Sequence, residues 1–154
     1  MKKKIAILGS TGSIGQSLLE IVNQNKNIFE ISLLTAHKDY KTLLSQAKKF
    51  SVKNLIITDK ESFKKIKKKN LNNKIKIFNN FECLSKIFKN KVDYTMSSIV
   101  GIGGLEPTLK IIKFTKLIAI ANKESIICGW SLILKALNNS NTKFIPVDSE
   151  HFSL

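Results

Sequence analysis

The 154-residue sequence contains no arginine: its 26 basic residues are all lysine, set against 11 acids, for a formal net charge of +15. Base readout and bidentate phosphate clamps lean on the planar guanidinium fork, so this charge does not point to a nucleic-acid partner. Lys, Asn and Ile make up 62 of the 154 residues. The three share A/T-rich codons, so a biased genome accounts for the charge and the lysines read as a solvated face. The densest run, Lys64 to Lys69, has one aromatic beside it, Phe63, and no RNA- or DNA-binding motif. Cysteine is scarce as well. Cys83 and Cys128 lie far apart with no CxxC and no Cys/His cluster, which argues against a zinc site or a disulfide framework and for a reduced, cytoplasmic compartment. Long hydrophobic runs are missing: the longest, Ile126 to Leu134, is broken by Gly129 and Ser131 and falls far short of the roughly 20 residues of a membrane span. The opening MKKK is followed by an apolar stretch that ends at Gly9, too short for an export signal.

What is present is alternation. Short apolar runs suited to strands occur at 4–9, 30–36, 54–58, 74–78, 94–100, 116–121 and 143–147. Between them, apolar residues at i, i+3, i+4 predict helices over 13–25, 40–50, 61–70, 81–89, 105–114 and 124–138. Near-continuous apolar strands joined by helices predict an α/β fold: a doubly wound, mostly parallel sheet with helices on both faces. With 43% hydrophobic residues, the length suits one domain with a sizeable core.

The first predicted strand runs into Gly9-Ser10-Thr11-Gly12-Ser13-Ile14-Gly15 and then directly into a helix. Glycines there allow a tight turn, close approach of backbone to a pyrophosphate and close helix–strand packing. The helix N-terminus offers unpaired N–H groups to phosphates. The spacing is GxxGxxG, which differs from the GxGxxG of NAD enzymes and from the longer TGxxxGxG pattern, so a ligand-free tight turn stays open. An NAD enzyme would end its second strand with a carboxylate for the ribose 2′-hydroxyl. This chain has Ala36-His37-Lys38-Asp39. Lys38 beside a 2′-phosphate would favour NADP, or it is one more surface lysine; Asp39 could cap the helix from Tyr40.

The second half carries other groups. Gly101-Ile102-Gly103-Gly104-Leu105-Glu106-Pro107-Thr108 is either a tight strand-to-helix turn or a backbone wall near a nicotinamide, with Pro107 suited to a first helical turn. Asn122-Lys123-Glu124-Ser125 opens the next helix; Asn122 can cap it and Glu124 complements its dipole. Lys123 has the wrong sign for a helix N-terminus and makes sense there if an anion docks. Asp148 and Glu150, at i and i+2 beyond the last strand, share a face if that strand continues. They are either a pair of oxygen ligands for Mg²⁺ or Mn²⁺ or ordinary solvated carboxylates. His151 is their neighbour more than a ligand.

Taken together, GSTGSIG (9–15), GGLEPTL (103–109), ANKES (121–125) and PVDSEH (146–151) resemble 1-deoxy-D-xylulose 5-phosphate reductoisomerases in order and spacing. The last two motifs are the specific part. The resemblance implies a Rossmann-like NADPH-binding domain over 1–147 and the start of a metal-binding catalytic domain at 148–154. It also implies that NADPH and a divalent metal, Mg²⁺ or Mn²⁺, serve the conversion of 1-deoxy-D-xylulose 5-phosphate to 2-C-methyl-D-erythritol 4-phosphate. That reaction is an oxidoreductase step of the non-mevalonate isoprenoid pathway.

By the resemblance, Gly9, Thr11, Gly12, Ser13 and Ile14 would hold NADPH phosphates, with Lys38 near the 2′-phosphate and Asn122 and Glu124 bordering the cofactor. Lys123, Ser149 and Glu150 would contact substrate, and Asp148 and Glu150 would bind metal. The implied partners are a sugar phosphate and a second copy of the chain in a homodimer, with no nucleic acid and no membrane. One departure is that the family often has Gly-Lys-Asn where this chain has His37-Lys38-Asp39. Another is that family members are much longer, so the chain is expected to be the N-terminal, cofactor-binding portion, inactive alone. Two alternatives remain. One is another NADP-dependent dehydrogenase such as a semialdehyde dehydrogenase, which would need a nucleophilic cysteine at a strand or loop end; the other is a nucleotide-binding module without catalysis.

Overall fold

The structure is a computed structural model that describes residues 1–70 and 74–147. Among the described residues, seven strands form a single sheet: β1 (Lys3–Leu8), β2 (Phe29–Ala36), β3 (Asn54–Ile57), β4 (Lys76–Phe78), β5 (Val92–Ser97), β6 (Thr115–Ile120) and β7 (Lys143–Pro146). Their order is β4-β3-β2-β1-β5-β6-β7, and every pairing is parallel. The α-helices described between them are α1 (Ser13–Gln24), α2 (Tyr40–Lys49), α3 (Lys60–Lys69), α4 (Leu84–Ile87), α5 (Leu105–Ile112) and α6 (Lys123–Ser140). This is the doubly wound, Rossmann-like α/β sheet.

Two-residue periodicity splits the core into layers. Ile5 and Ile7 of β1 face one cluster, with Leu19 and Val22 of α1, Leu43 and Ala47 of α2 and Ile66 of α3. Ala6 and Leu8 face the other, with Leu84, Ile111, Ile112, Ile133 and Leu137. Helices α1–α3 therefore cover one face and α4–α6 the other, because strands buried on both sides must be covered on both sides. The winding reverses between β1 and β5, and there the carboxyl ends of the strands open a crevice.

Several predicted elements come out shorter, and for two of them the packing shows why. The helix expected over 81–89 is a 3-10 turn, Phe81–Cys83, followed by the single turn α4. Phe81, Cys83, Leu84 and Phe88 still reach the second core layer; Phe88 leaves the helix at φ −110° and ψ 108° to pack on Phe114, ring centroids 5.9 Å apart. The strand expected over 94–100 covers 92–97 instead. At Ser98 the backbone N–H donates to Leu8 O at 2.9 Å and the hydroxyl donates to the same carbonyl at 2.8 Å, after which the chain turns away and leaves Val100 88% exposed. The apolar run continues past the ladder because its last residues border a cleft.

Candidate functional site

The glycine loop between β1 and α1 is held from below by side chains of other elements. Gly9 N–H donates to Thr35 Oγ1 at 3.0 Å. The fully buried Ser10 donates through its hydroxyl to Gln46 Oε1 at 2.8 Å, and Gln46 Nε2 donates back to Ser10 O at 2.9 Å. Two glycines are required by space. Gly9 has φ +83°, and a Cβ there would lie 2.8 Å from Ser98 O; a Cβ on Gly15 would lie 2.5 Å from Gly9 O and 2.6 Å from Ser10 Cα. Helix α1 thus starts in direct contact with the loop it follows. Gly12 is different: a Cβ there would meet only Gly9 O, at 3.5 Å. Its freedom faces outward.

Helix α1 differs at its first turn from α2, α3 and α6, and from α5, which also starts at an uncapped glycine, Gly104, but carries Glu106 in its first turn. Asp39 caps α2 by accepting from Thr42 N–H at 3.0 Å, Asp59 caps α3 from Ser62 N–H at 2.9 Å, and Asn122 caps α6 from Ser125 N–H at 2.7 Å. Gly12, the N-cap of α1, has no side chain to do this, and no acid lies in the first turn. The partial positive charge of that terminus is left for a ligand. The predicted capping roles of Asp39 and Asn122 are met.

Over this terminus opens a cleft of about 790 Å³ across the carboxyl ends of β1 to β5. Gly9, Thr11 and Gly12 form one side, and Thr35, Ala36 and His37 follow at the end of β2. The loop after β4 adds Asn79 to Glu82, and the loop after β5 with α5 adds Ile99, Val100, Pro107 and Lys110. Lys110 bridges Glu106 at 2.6 Å and also Glu82, tying the two loops together across the cleft's outer wall. The Lys110 hydrogen bond, with its charge, holds the Glu82 carboxyl below the usual range.

Of the residues picked out from sequence, Gly9, Thr11 and Gly12 line this cleft, while Ser13 and Ile14 begin α1 beside it. Lys38 is exposed in the β2–α2 loop, one residue beyond the lining. Asn122, Lys123 and Glu124 stand further along the sheet, at the end of β6 and the start of α6. The Asn122 side chain is buried and donates to Ile99 O and, at 2.6 Å, to Gly101 O. It fastens the Gly101–Gly104 turn to the N-terminus of α6, so that turn is built by side-chain contact as well as by its glycines. Asp148, Ser149 and Glu150 lie outside the described residues. Among the described residues no cluster of three or more His, Cys, Asp or Glu could hold a metal. Gln46, Asn79, Asn80 and Glu82 carried no sequence signal. They enter the site through strand order, and only Gln46, as a buried polar residue on an apolar helix face, offered a hint.

Neither cysteine suits a covalent mechanism. Cys128 is exposed within α6, and burial pushes the Cys83 thiol up to about 11, leaving almost no thiolate near neutrality. Among the described residues no helix is long and apolar enough to cross a membrane.

Comparison with known proteins gives a consistent result. A family model described as 1-deoxy-D-xylulose 5-phosphate reductoisomerase matches residues 5–129. The 1-deoxy-D-xylulose 5-phosphate reductoisomerase of Pelagibacter ubique is 60% identical over 154 residues, covering 99% of this chain and 40% of its own length. That of Phocaeicola vulgatus is 37% identical, covering 100% of this chain and 41% of its own. The chain thus spans about two-fifths of the length of the curated relatives it matches. Among solved structures, the Zymomonas mobilis reductoisomerase in complex with NADPH superposes with a TM-score of 0.87 at 32% identity, over 98% of this chain and 40% of that one. A reductoisomerase in complex with NADPH, fosmidomycin and magnesium gives 0.86 at 32% identity, over 97% and 37%. An archaeal homoserine dehydrogenase, at 17% identity and a TM-score of 0.61, shares the fold alone.

Proposed function

The chain belongs to the 1-deoxy-D-xylulose 5-phosphate reductoisomerase family, and on that premise we propose that it is the NADPH-binding portion of such an enzyme. Residues 1–147 would form the cofactor domain and 148–154 the start of the metal-binding catalytic domain. The observation that carries this reading is the uncapped N-terminus of α1, open at Gly12 and facing the cleft. Backbone N–H groups at Thr11, Ser13 and Ile14 suit a pyrophosphate, while Gly12 N–H donates to Gly9 O at 3.2 Å and shapes the loop. The end of β2 offers His37 and Lys38, while nearby Asp39 and Asp59 are occupied as helix caps; a phosphate on the ribose suits that end better than a free 2′-hydroxyl.

Bound NADPH would supply the hydride that reduces the rearranged substrate. A divalent cation, Mg²⁺ or Mn²⁺, held by Asp148 and Glu150 would supply positive charge to the substrate's oxygens. The protein's own residues orient and bind. Asn122 holds the Gly101–Gly104 turn against the start of α6, where Glu124 would border the cofactor and Lys123 would meet an anionic substrate. Ser149 and Glu150 would contact that substrate. In this reading the intact enzyme makes 2-C-methyl-D-erythritol 4-phosphate for isoprenoid synthesis as a cytoplasmic homodimer, without a nucleic-acid partner. The semialdehyde dehydrogenase alternative loses support because Cys128 lies within helix α6, away from a strand or loop end, and burial raises the Cys83 thiol.

The test is direct. The 154-residue chain is titrated with NADPH by fluorescence, then incubated with NADPH, Mn²⁺ and 1-deoxy-D-xylulose 5-phosphate while absorbance is followed. Binding without turnover is expected, because two carboxylates and a lysine by themselves leave a hard cation mostly water-coordinated. Addition of the C-terminal portion of a family member should restore turnover. No NADPH binding would refute the assignment; metal-dependent turnover by the chain alone would refute the division of labour.

A further inference from the structure

His37 stands where the family often has glycine, beside Lys38 at the end of the cleft where the proposed function puts the ribose phosphate. It opens the β2–α2 loop and lines the cleft beside Thr35, Ala36 and Thr58. Its backbone carbonyl accepts from Asp59 N–H at 3.0 Å, so the end of β2 is tied to the chain leaving β3. Its ring is held too: Nδ1 lies 2.8 Å from Thr58 Oγ1. A hydroxyl can donate to a neutral ring nitrogen or accept from a protonated one, so this contact survives a change of charge. With Nδ1 engaged, Nε2 is the nitrogen left to meet a ligand.

We infer that His37 is a second reader of the adenosine 2′-phosphate, adding to Lys38 and making the preference for NADPH over NADH depend on pH. The inference rests on the NADPH-binding reading above. The charged groups around it are Lys38 on its own loop, Asp39 at the start of α2, Asp59 before α3, and the Glu82–Lys110–Glu106 group on the far wall of the cleft. Asp59 belongs to this surround: Ser62 N–H holds its carboxyl below the usual range, and the charges of Lys38 and His37 add to that. A phosphate bound beside an imidazole favours the protonated ring.

Histidine side chains change charge between about pH 8 and pH 5, whereas lysine does not. A phosphate monoester also loses negative charge as pH falls, its second ionisation lying near about pH 6. Lys38 acting alone would therefore weaken NADPH preference toward acid, and His37 opposes that trend. The two predictions have opposite signs.

The experiment measures Kd for NADPH and for NADH with the full 154-residue chain and with His37→Gln, at about pH 6 and about pH 8. Gln keeps a polar side chain of similar reach without a titrating charge. At the acid pH the NADPH preference of the wild-type chain should exceed that of the variant by about three- to tenfold, the range for a partly exposed charge-assisted contact. At the alkaline pH the difference should shrink. Equal preference in both proteins at the acid pH overturns the role of His37 while leaving NADPH binding intact. Equal affinity for NADPH and NADH in both proteins at both pH values overturns the 2′-phosphate site as a whole, Lys38 included. Failure of the folded chain to bind either cofactor overturns the proposed function and this inference with it.

Discussion

Gly12 lines the cleft and Gly15, three residues on, is buried against the loop, so alanine at each should do opposite things. At Gly15 a new Cβ would lie 2.5 Å from Gly9 O, 2.6 Å from Ser10 Cα and 2.8 Å from Ser10 C. All three are backbone atoms of a loop held by Thr35 and Gln46, so no flexible side chain can yield. Overpacking of this kind typically costs about 1–3 kcal/mol. For a chain of this size that corresponds to a fall in Tm of roughly 2–12 °C, at about 2–4 °C per kcal/mol. At Gly12 the backbone has φ −77° and ψ 169°, which any residue adopts, and the only near atom is 3.5 Å away. Stability of Gly12→Ala should stay within about 0.5 kcal/mol of wild type. Its methyl group would nevertheless stand where a pyrophosphate must approach. Displacing one charge-assisted N–H contact there should weaken NADPH binding about ten- to a hundredfold. Urea and thermal melts report the first quantity and a fluorescence titration the second. A Gly15→Ala protein as stable as wild type would refute the packing argument. A Gly12→Ala protein with unchanged NADPH affinity would refute the placement of phosphate over α1.

Three further outcomes are expected. Lys38→Ala should narrow the NADPH-over-NADH preference by about ten- to a hundredfold, measured as the ratio of the two Kd values; an unchanged ratio removes Lys38 from the site. Gln46→Met keeps the side chain's length but deprives the buried Ser10 carbonyl of its donor, so urea denaturation should show a loss of about 1–3 kcal/mol, with weaker NADPH binding because the loop is no longer pinned. Asp93 is held below the usual carboxylate range by the Lys116 side chain and by Lys4 N–H. A carboxyl depressed in the folded state stabilises the protein above its unfolded pKa and ceases to do so as pH falls through the folded value. Stability should therefore drop across the acid range, and Asp93→Asn should flatten that part of the curve while lowering stability near neutrality.

The alternation of apolar runs with amphipathic stretches determined the layer order of this protein, because burial on both faces leaves a strand no polar side. The glycine loop announced itself for the same kind of local reason. A left-handed Gly9 and a Gly15 packed against Gly9 are backbone requirements, and they show wherever the residues stand in the chain. Caps at Asp39 and Asn122 were legible too, since capping is decided within three residues. What the sequence could not decide is which loops meet. Asn79 to Glu82 and Lys110 border one cleft only because β4 and β5, consecutive in the chain, lie at separate places in the sheet with β3, β2 and β1 between them. Gln46 reaches Ser10 across 36 residues, and Asn122 reaches Ile99 and Gly101 across more than 20. The shortening of the element at 81–89 had the same origin: Phe88 turned out of the helix toward Phe114, a partner chosen by packing between distant segments. Local geometry is encoded by neighbours a few residues away. A cleft is made by strand order, which exists only once the chain has folded.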